Sequence, residues 1–383
     1  MKRVAVIGVG SAGLQTLCHL CAWLNDSWTI VSIHDPAKTT IGVGESTLPT
    51  FVNSLEYGVD FNIHTDLKEL NGTIKLGTVF KKWRDKDWIN PLIGGNLAIH
   101  MDTFRLKDFI FKRLKQKWRT RFEVKEQNFD DVFKFDYDYI VDCTGFPKDY
   151  SDYVIPSSLL INRGLVYNIP KKGNWQYTGH VATRNGWMFE IPLSNRQSYG
   201  YMYNSKITTK TEALTDFSRV KGVELGNDNV TEFSFQPAYA KTFLKGNVFK
   251  NGNRALFFEP LSSLSLFAYS YNNTLITDHI VGLKDRERVN LLYINHVEAI
   301  RDFIYYYYHG GSTYDTPFWK EASTKAATEL GHSDMFIRTQ ARFKREKIEN
   351  RQTPYKAVRV PGWLFDAHNL SIIDKQLGYN YFR

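Results

Sequence analysis

Apolar residues open the chain in an unbroken run, Val4-Ala5-Val6-Ile7, which closes at Gly8. So short a run bounded by glycine predicts a strand buried on both faces. Beyond it, Leu14, Leu17, Leu20 and Leu24 recur at three- and four-residue intervals, the spacing of an amphipathic helix. Residues 28–33 are rich in β-formers and end at His34-Asp35, so the first 35 residues read as one βαβ unit. The same periodicities predict a short helix over residues 65–70, capped by Thr65 and stopped by Asn71-Gly72. They predict a basic amphipathic helix over 101–117 and a buried strand over 139–145. From about residue 150 to 250, Tyr, Asn, Thr and Gly alternate with apolar positions, which predicts antiparallel β structure. From about 275 onward helical spacing dominates, including residues 289–308. The fold class is therefore α/β.

Between the first strand and helix stands Gly8-Val9-Gly10-Ser11-Ala12-Gly13, a GxGxxG run. Its glycines suit a tight turn, close approach of backbone to a pyrophosphate, and close helix packing. The helix N-terminus adds unpaired N–H groups and the positive end of its dipole. Asp35 follows the second strand, where an acid accepts hydrogen bonds from a ribose; His34 is the weaker candidate for that place. Strand, helix, strand and acid identify a Rossmann-like dinucleotide unit without separating FAD from NAD.

Composition changes this picture little. A charge of +9 over 383 residues attracts halide, phosphate and nucleic acid alike. The basic run at residues 342–347 reads as a solvated helix face, so nucleic acid is not expected as a partner. Three cysteines are too few for a disulfide framework and fit a reducing cytoplasm. Cys18 and Cys21, though spaced as CxxC, fall inside the first helix and read as packing residues. No apolar stretch is long enough for a membrane span and no leader pattern opens the chain, so a cytoplasmic protein is expected. His64, His180, His279 and His332 stand alone, without metal-ligand spacing; no metal is expected and none of the four is given a catalytic part.

Further segments narrow the chemistry. Ile41-Gly42-Val43-Gly44-Glu45-Ser46-Thr47-Leu48-Pro49 resembles the IGVGEST/ATxP segment of the flavin-dependent tryptophan halogenases. Asn71-Gly72-Thr73-Ile74-Lys75, with Phe80 and Trp83 behind it, is similar to the family segment that bears the catalytic lysine. Asp142-Cys143-Thr144-Gly145 matches the family's DCTG strand end, and Gly186-Trp187-Met188-Phe189-Glu190-Ile191-Pro192 its GWxWxIP signature, with Phe189 for the second tryptophan. Phe258-Glu259-Pro260-Leu261-Ser262-Ser263-Leu264-Ser265 resembles the FLEPLESTG halide and flavin segment. Arg301-Asp302-Phe303 and Asp315-Thr316-Pro317-Phe318-Trp319 match the RDF…DTPFW block. These segments follow family order over most of residues 1–320, and the short length resembles the compact phage-encoded members, for which a host cytoplasm is expected.

The resemblance implies a Rossmann-like, flavin-monooxygenase-type FAD-binding fold. Residues 1–320 would form the FAD and halide module with a β-rich insertion at about 150–250, and 321–383 a helical substrate-side region. It places FAD contacts at Gly8, Val9, Gly10, Ser11, Ala12, Gly13, Asp35, Gly44, Glu45, Ser46, Trp187 and Leu266, and halide contacts at Ser263, Leu264 and Ser265. FADH2 from a separate flavin reductase, dioxygen and halide would yield hypohalous acid. Lys75 would then carry the halogen as a haloamine, or activate it by donating a hydrogen bond, toward an electron-rich aromatic substrate. Lysine suits the step as an ammonium donor, or as an amine nucleophile once deprotonated in a dry pocket. Trp187 would keep substrate from the flavin; core packing explains it equally well.

The sequence departs from the family at three places. Ser262 stands where the family has its catalytic glutamate, and a hydroxyl orients a ligand but supplies no carboxylate base. Glu259 substitutes for it only if the backbone turns it toward Lys75. Leu264-Ser265 replaces the Thr-Gly of the halide loop, from which a preference for bromide or iodide over chloride is expected. Residues 84–99 alone separate Trp83 from His100-Met101-Asp102, which removes part of the family's aromatic clamp and argues against free tryptophan as substrate. Tyr305 to His309 and the tail aromatics Trp363, Phe365, Tyr379, Tyr381 and Phe382 are candidate pocket walls; core packing, or the interface of a homo-oligomer, explains them as well. Two rival readings share the fingerprint: a flavin-dependent aromatic monooxygenase, and a non-catalytic flavin-binding accessory protein.

Overall fold

The βαβ opening forms as the periodicity predicts. In the computed structural model, which describes residues 2–38, 45–92, 97–128, 136–334 and 336–337, strand β1 (Lys2–Ile7) leads into helix α1 (Ser11–Trp23) and returns as β2 (Trp28–His34). The two strands run parallel, with Val4 opposite Ile30 and Ile7 opposite Ile33. Alternation along β1 sends Val4 and Val6 into the main core with Leu14 and Leu17 of α1, and Ala5 and Ile7 into a second cluster with Val31, Ile33 and Ile140. Both faces are covered, which is why the run reads as continuously apolar.

The sheet continues on both sides of this pair. Its strand order is Leu244–Lys245, Val248–Lys250, Tyr139–Asp142, β1, β2, Phe122–Glu126, parallel except at the Leu244–Lys245 edge. A second, mostly antiparallel sheet holds the β-rich region: Thr231–Ser234, Arg163–Pro170, Arg196–Tyr203, Gly186–Pro192, Tyr177–Thr183, Gly77–Lys81 and Trp88–Pro91. A small antiparallel sheet, Glu45–Ser46, Ala98–Met101 and Thr73–Lys75, with Ala98–Met101 in the middle, carries much of the chemistry below.

Helix boundaries differ from the sequence reading where caps decide them. After α2 (Pro49–Val59), the short helix α3 spans Ile63–Asp66, because the Asn62 side chain, not Thr65, accepts from the His64 N–H. Helix α4 is Thr103–Lys117, capped by Asp102; Met101 belongs to the preceding strand. Helix α5 (Lys210–Lys221) interrupts the β region, set by a capping box between Thr209 and Glu212 and by Gly222 at φ +66°. Helix α6 (Leu264–Ile280) begins well before residue 275. Its buried residues lie all round the axis and include Asn272 and Asn273, so no polar stripe announces it. Those asparagines are bonded: Asn273 Oδ1 accepts from Thr16 Oγ1 and from Asn251 Nδ2, both at 2.8 Å.

Helix α7 (Arg286–His309) and helix α8 (Pro317–Gly331) close the described chain, and α8 runs through position 320, the expected module boundary. Tyr305, Tyr306, Tyr307 and Tyr308 are buried core residues, with Tyr307 stacked on Phe80 at 4.9 Å. They are therefore not walls of an open pocket. Gly44, the basic run at 342–347 and the tail aromatics lie outside the described residues.

Candidate active site

At the end of β1 the backbone turns so sharply that no side chain fits. Gly8 has φ +97°, and a Cβ there would lie 2.5 Å from the Cys143 carbonyl oxygen. A Cβ on Gly13 would lie 2.0 Å from the Gly8 carbonyl oxygen, so this glycine serves the helix–strand contact beneath the turn. Gly10, the N-cap of α1, is different: a Cβ there meets nothing within 4 Å, and no side chain caps the helix. The turn borders a cavity of about 460 Å³, lined by Gly8, Val9, Gly10, Ser11, Ala12, Asp35, Glu45, Ser46, Ser263, Ser265 and Leu266. His34, Lys38 and Thr144 line it too, and Phe189, Ile191, Phe233, Phe257 and Pro260 give an apolar wall. Open space above Gly10, a helix end with no side-chain cap and an apolar wall fit a flavin dinucleotide. Glu45 accepts from Ser11 Oγ at 3.0 Å, and burial pushes its carboxyl up to about 7 against that bond, which eases the repulsion a bound phosphate would meet.

Of the residues the sequence assigns to the cofactor, Gly13 supports the turn and Trp187 stands back from the cavity. His180 separates Trp187 from it, the two rings stacked at 5.1 Å and 12°. The cavity wall at this point is His180 and Phe189. His180, given no role on sequence grounds, holds the halide-type loop: its Nε2 accepts the Ser262 N–H at 2.9 Å. Ser262 and Ser263 adopt φ +52° and +59°, consecutive left-handed residues that are not glycine, a strain of roughly 1–3 kcal/mol each. The bond from His180 is one of the restraints that hold this turn at the start of α6. Leu264 is buried and does not line the cavity, whereas Ser263 and Ser265 do.

Lys75 lies behind this loop, 2% exposed and outside the cavity lining. Its Nζ donates to the Thr47 carbonyl at 2.8 Å and to Ser263 Oγ at 3.2 Å, and Ser263 is itself a cavity wall. Thr47 is pinned against Ile99, donating N–H and Oγ1–H to its carbonyl and accepting its N–H. Burial brings the Lys75 ammonium down from 10.5 to about 7, and no carboxylate among the described residues offsets it. Glu259 does not fill the gap. Its carboxyl accepts from Tyr308 Oη at 3.0 and 3.1 Å, and burial raises it to about 8, with Tyr308 and Trp187 opposing.

Two further residues belong to the site. The ring of His100, fully buried, contacts Thr73 Oγ1 through Nδ1 and Thr178 Oγ1 through Nε2, each at 2.9 Å. Thr178 Oγ1 meets Ser46 Oγ at 2.6 Å, and Ser263 Oγ donates to Ser46 Oγ at 3.0 Å. Strand register explains the convergence: Thr73 and Ser46 both pair with His100, and opposed residues in a sheet share a face. The signal for His100 was its alternation with Ile99 and Met101 in a short buried strand; for Thr178 and His180 the sequence held none, since their partner strand is distant.

Comparison with known proteins gives the family and the fold. The family model described as tryptophan halogenase matches residues 3–132 and 114–353. The chain is 21% identical over 417 residues to tryptophan 7-halogenase RebH of Lentzea aerocolonigenes, covering 84% of this chain and 78% of that protein. It is 22% identical over 417 residues to tryptophan 6-halogenase ThaL of Streptomyces albogriseolus, with the same coverage, 84% and 78%. The crystal structure of a tryptophan halogenase from Shewanella frigidimarina superposes with TM-score 0.80 at 18% identity, over 99% of this chain and 89% of that one, and shares the fold. The chain belongs to the tryptophan halogenase family of flavin-dependent halogenases.

Proposed function

We propose that this chain forms hypohalous acid from halide and passes the halogen through Lys75 to an electron-rich aromatic substrate other than free tryptophan. The observation that carries the reading is the buried Lys75 nitrogen, which no carboxylate among the described residues pairs, hydrogen-bonded to the Ser263 hydroxyl of the cavity wall. FAD, reduced by a separate reductase, would supply with dioxygen the two-electron oxidation of halide. Gly8, Gly10 and Ser11 with the start of α1 would hold its pyrophosphate, Asp35 its ribose, and the wall from Phe189 to Pro260 its ring. His180 holds the Ser262–Ser263 turn, and the first turn of α6 offers the halide its N–H groups. Lys75, neutral in a large fraction of molecules near pH 7, takes the halogen, and its burial keeps water from the reactive nitrogen. Leu264, buried behind the loop, offers a halide at the start of α6 no threonine hydroxyl, so bromide or iodide is expected to outcompete chloride at equal concentration.

The test is Lys75→Met with a generic flavin reductase, each halide, and a panel of phenols, indoles and anilines read by mass spectrometry. Halogenated product should vanish while flavin binding, followed by fluorescence quenching, stays within about twofold. Product at the wild-type level from the variant, or halide-independent hydroxylation by the wild type, overturns the reading. Dominant chlorination in mixed halide overturns the halide preference.

A further inference from the structure

The hydroxyl chain between Lys75 and His100 has a fixed direction, and its direction has a chemical consequence. Thr73 Oγ1 donates to the Pro192 carbonyl at 2.6 Å, an acceptor that has no proton to give. The lone pairs of Thr73 therefore face His100 Nδ1, which must carry the ring proton. Burial and the Lys75 charge keep the imidazole neutral, well below its ordinary range, so Nε2 is a lone pair and Thr178 must donate to it. Thr178 then accepts from Ser46, Ser46 from Ser263, and Ser263 from Lys75. Each member has one proton and spends it away from Lys75.

We propose that His100 is a positioning residue that keeps the Lys75 lone pair free for halogen. When Lys75 is neutral it has two N–H bonds and one lone pair. The Thr47 carbonyl and the Ser263 oxygen both present acceptors, so both N–H bonds are held and the lone pair takes the remaining tetrahedral direction. Were the chain reversed, Ser263 O–H would donate to that lone pair and cap the nucleophile. The step served is attack of the amine on hypohalous acid. The N–halogen bond forms, the O–halogen bond breaks, and the hydroxide released takes a proton from nitrogen to leave as water. Among the described residues, the other titratable groups of the site do not set the direction: His180 is kept neutral by burial and accepts from Ser262, Glu45 accepts from Ser11, and Glu259 is held by Tyr308.

The inference rests on Lys75 as the halogen carrier, and its test is independent of turnover. Protein labelled with 15N-histidine should show His100 as the Nδ1–H tautomer at pH 7, its signals assigned by difference against His100→Gln. Protein labelled at the lysine ε-carbon with 13C should show a Lys75 titration midpoint, assigned against Lys75→Met. His100→Leu and Thr178→Val each let the chain reverse, so each should lower that midpoint by at least one pH unit and lower kcat about tenfold with KM unchanged. His100→Gln, whose amide oxygen replaces Nε2 as acceptor, should keep both near wild type. A purely structural role predicts an unchanged midpoint, or one rising toward 10.5 as water enters. Either result in both truncating variants, or an Nε2–H tautomer in the wild type, overturns the inference. Activity surviving in Lys75→Met would instead overturn the halogen-carrier reading and leave the tautomer result standing.

Discussion

Lys75→Met should make the protein inactive and more stable at once. Burial lowers the Lys75 ammonium from 10.5 to about 7, so by linkage the protonated side chain opposes folding by roughly 4 kcal/mol at pH 7. Methionine fills a similar volume without that charge but strands the Thr47 carbonyl, a loss of roughly 1–3 kcal/mol. The net expectation is a gain of about 1–3 kcal/mol at pH 7. The sign follows from proton counts. Between about pH 7 and 10.5 the unfolded chain holds a proton that folded Lys75 has released, so wild-type stability from this group rises with pH through that window. The advantage of methionine should therefore shrink by about 2 kcal/mol between about pH 6 and pH 8.5. Guanidinium unfolding of the apoprotein at the two pH values, followed by circular dichroism, measures it, because the other titrating groups are common to both proteins and cancel. A variant less stable than wild type at pH 6, or a gap that ignores pH, would refute the argument.

Gly10→Val should fold with a melting temperature near wild type, since its Cβ meets nothing, yet weaken FAD binding at least tenfold by filling the pyrophosphate space. Gly13→Val, driven against the Gly8 carbonyl, should instead lose roughly 1–3 kcal/mol of stability; flavin titration and thermal melts separate the two. Glu259, raised to about 8, is protonated at neutral pH, so Glu259→Gln should retain turnover within about threefold and stability within about 1 kcal/mol. For this acid the folded state binds the extra proton, so wild-type stability should fall relative to Glu259→Gln as pH rises from 4.5 to about 8. Tyr308→Phe, which takes the phenol donor from the buried carboxyl, should cost roughly 1–3 kcal/mol in a urea melt.

What the sequence makes legible follows from the range of the interactions. Local periodicity and local caps announce β1, α1, β2 and the glycine turn, because a strand buried on both faces and a glycine at φ +97° leave their mark within a few residues. Helix α6 is hidden because its buried asparagines are satisfied by Thr16 and Asn251, residues far away in the chain. The site divides the same way. Lys75 and the Ser262–Ser263 turn are visible as motif segments, but His180 reaches that turn across 82 positions. Trp187 is visible as a motif yet sits one ring behind its expected place, because stacking on His180 and packing near Trp83 decide its depth. Sequence alone also leaves the state of the Lys75 nitrogen open, since ammonium and amine differ only through burial and the absence of a charged partner.

On the proposed reading, the absence of a carboxylate beside Lys75 among the described residues favours one of the two roles open to the lysine. In a site with a carboxylate beside it, ion pairing would hold Lys75 as ammonium at every physiological pH, and a hydrogen-bond donor would be the natural assignment. Ser262 in the acid's place and Glu259 turned away to Tyr308 leave desolvation unopposed, and the midpoint falls to about 7. An amine route then predicts a rate that climbs as pH rises through about 7 and levels off, following the fraction of free base; a donor route predicts the reverse. Adding hypobromous acid directly to flavin-free protein isolates the step, with haloamine formation on the Lys75 peptide read by mass spectrometry and Lys75→Met as background. The rising limb should appear on the acid side, where hypobromous acid is fully protonated and the lysine alone titrates. A falling limb there would mean that the ammonium is the working form, and that the vacancy left by the family's glutamate has a different compensation.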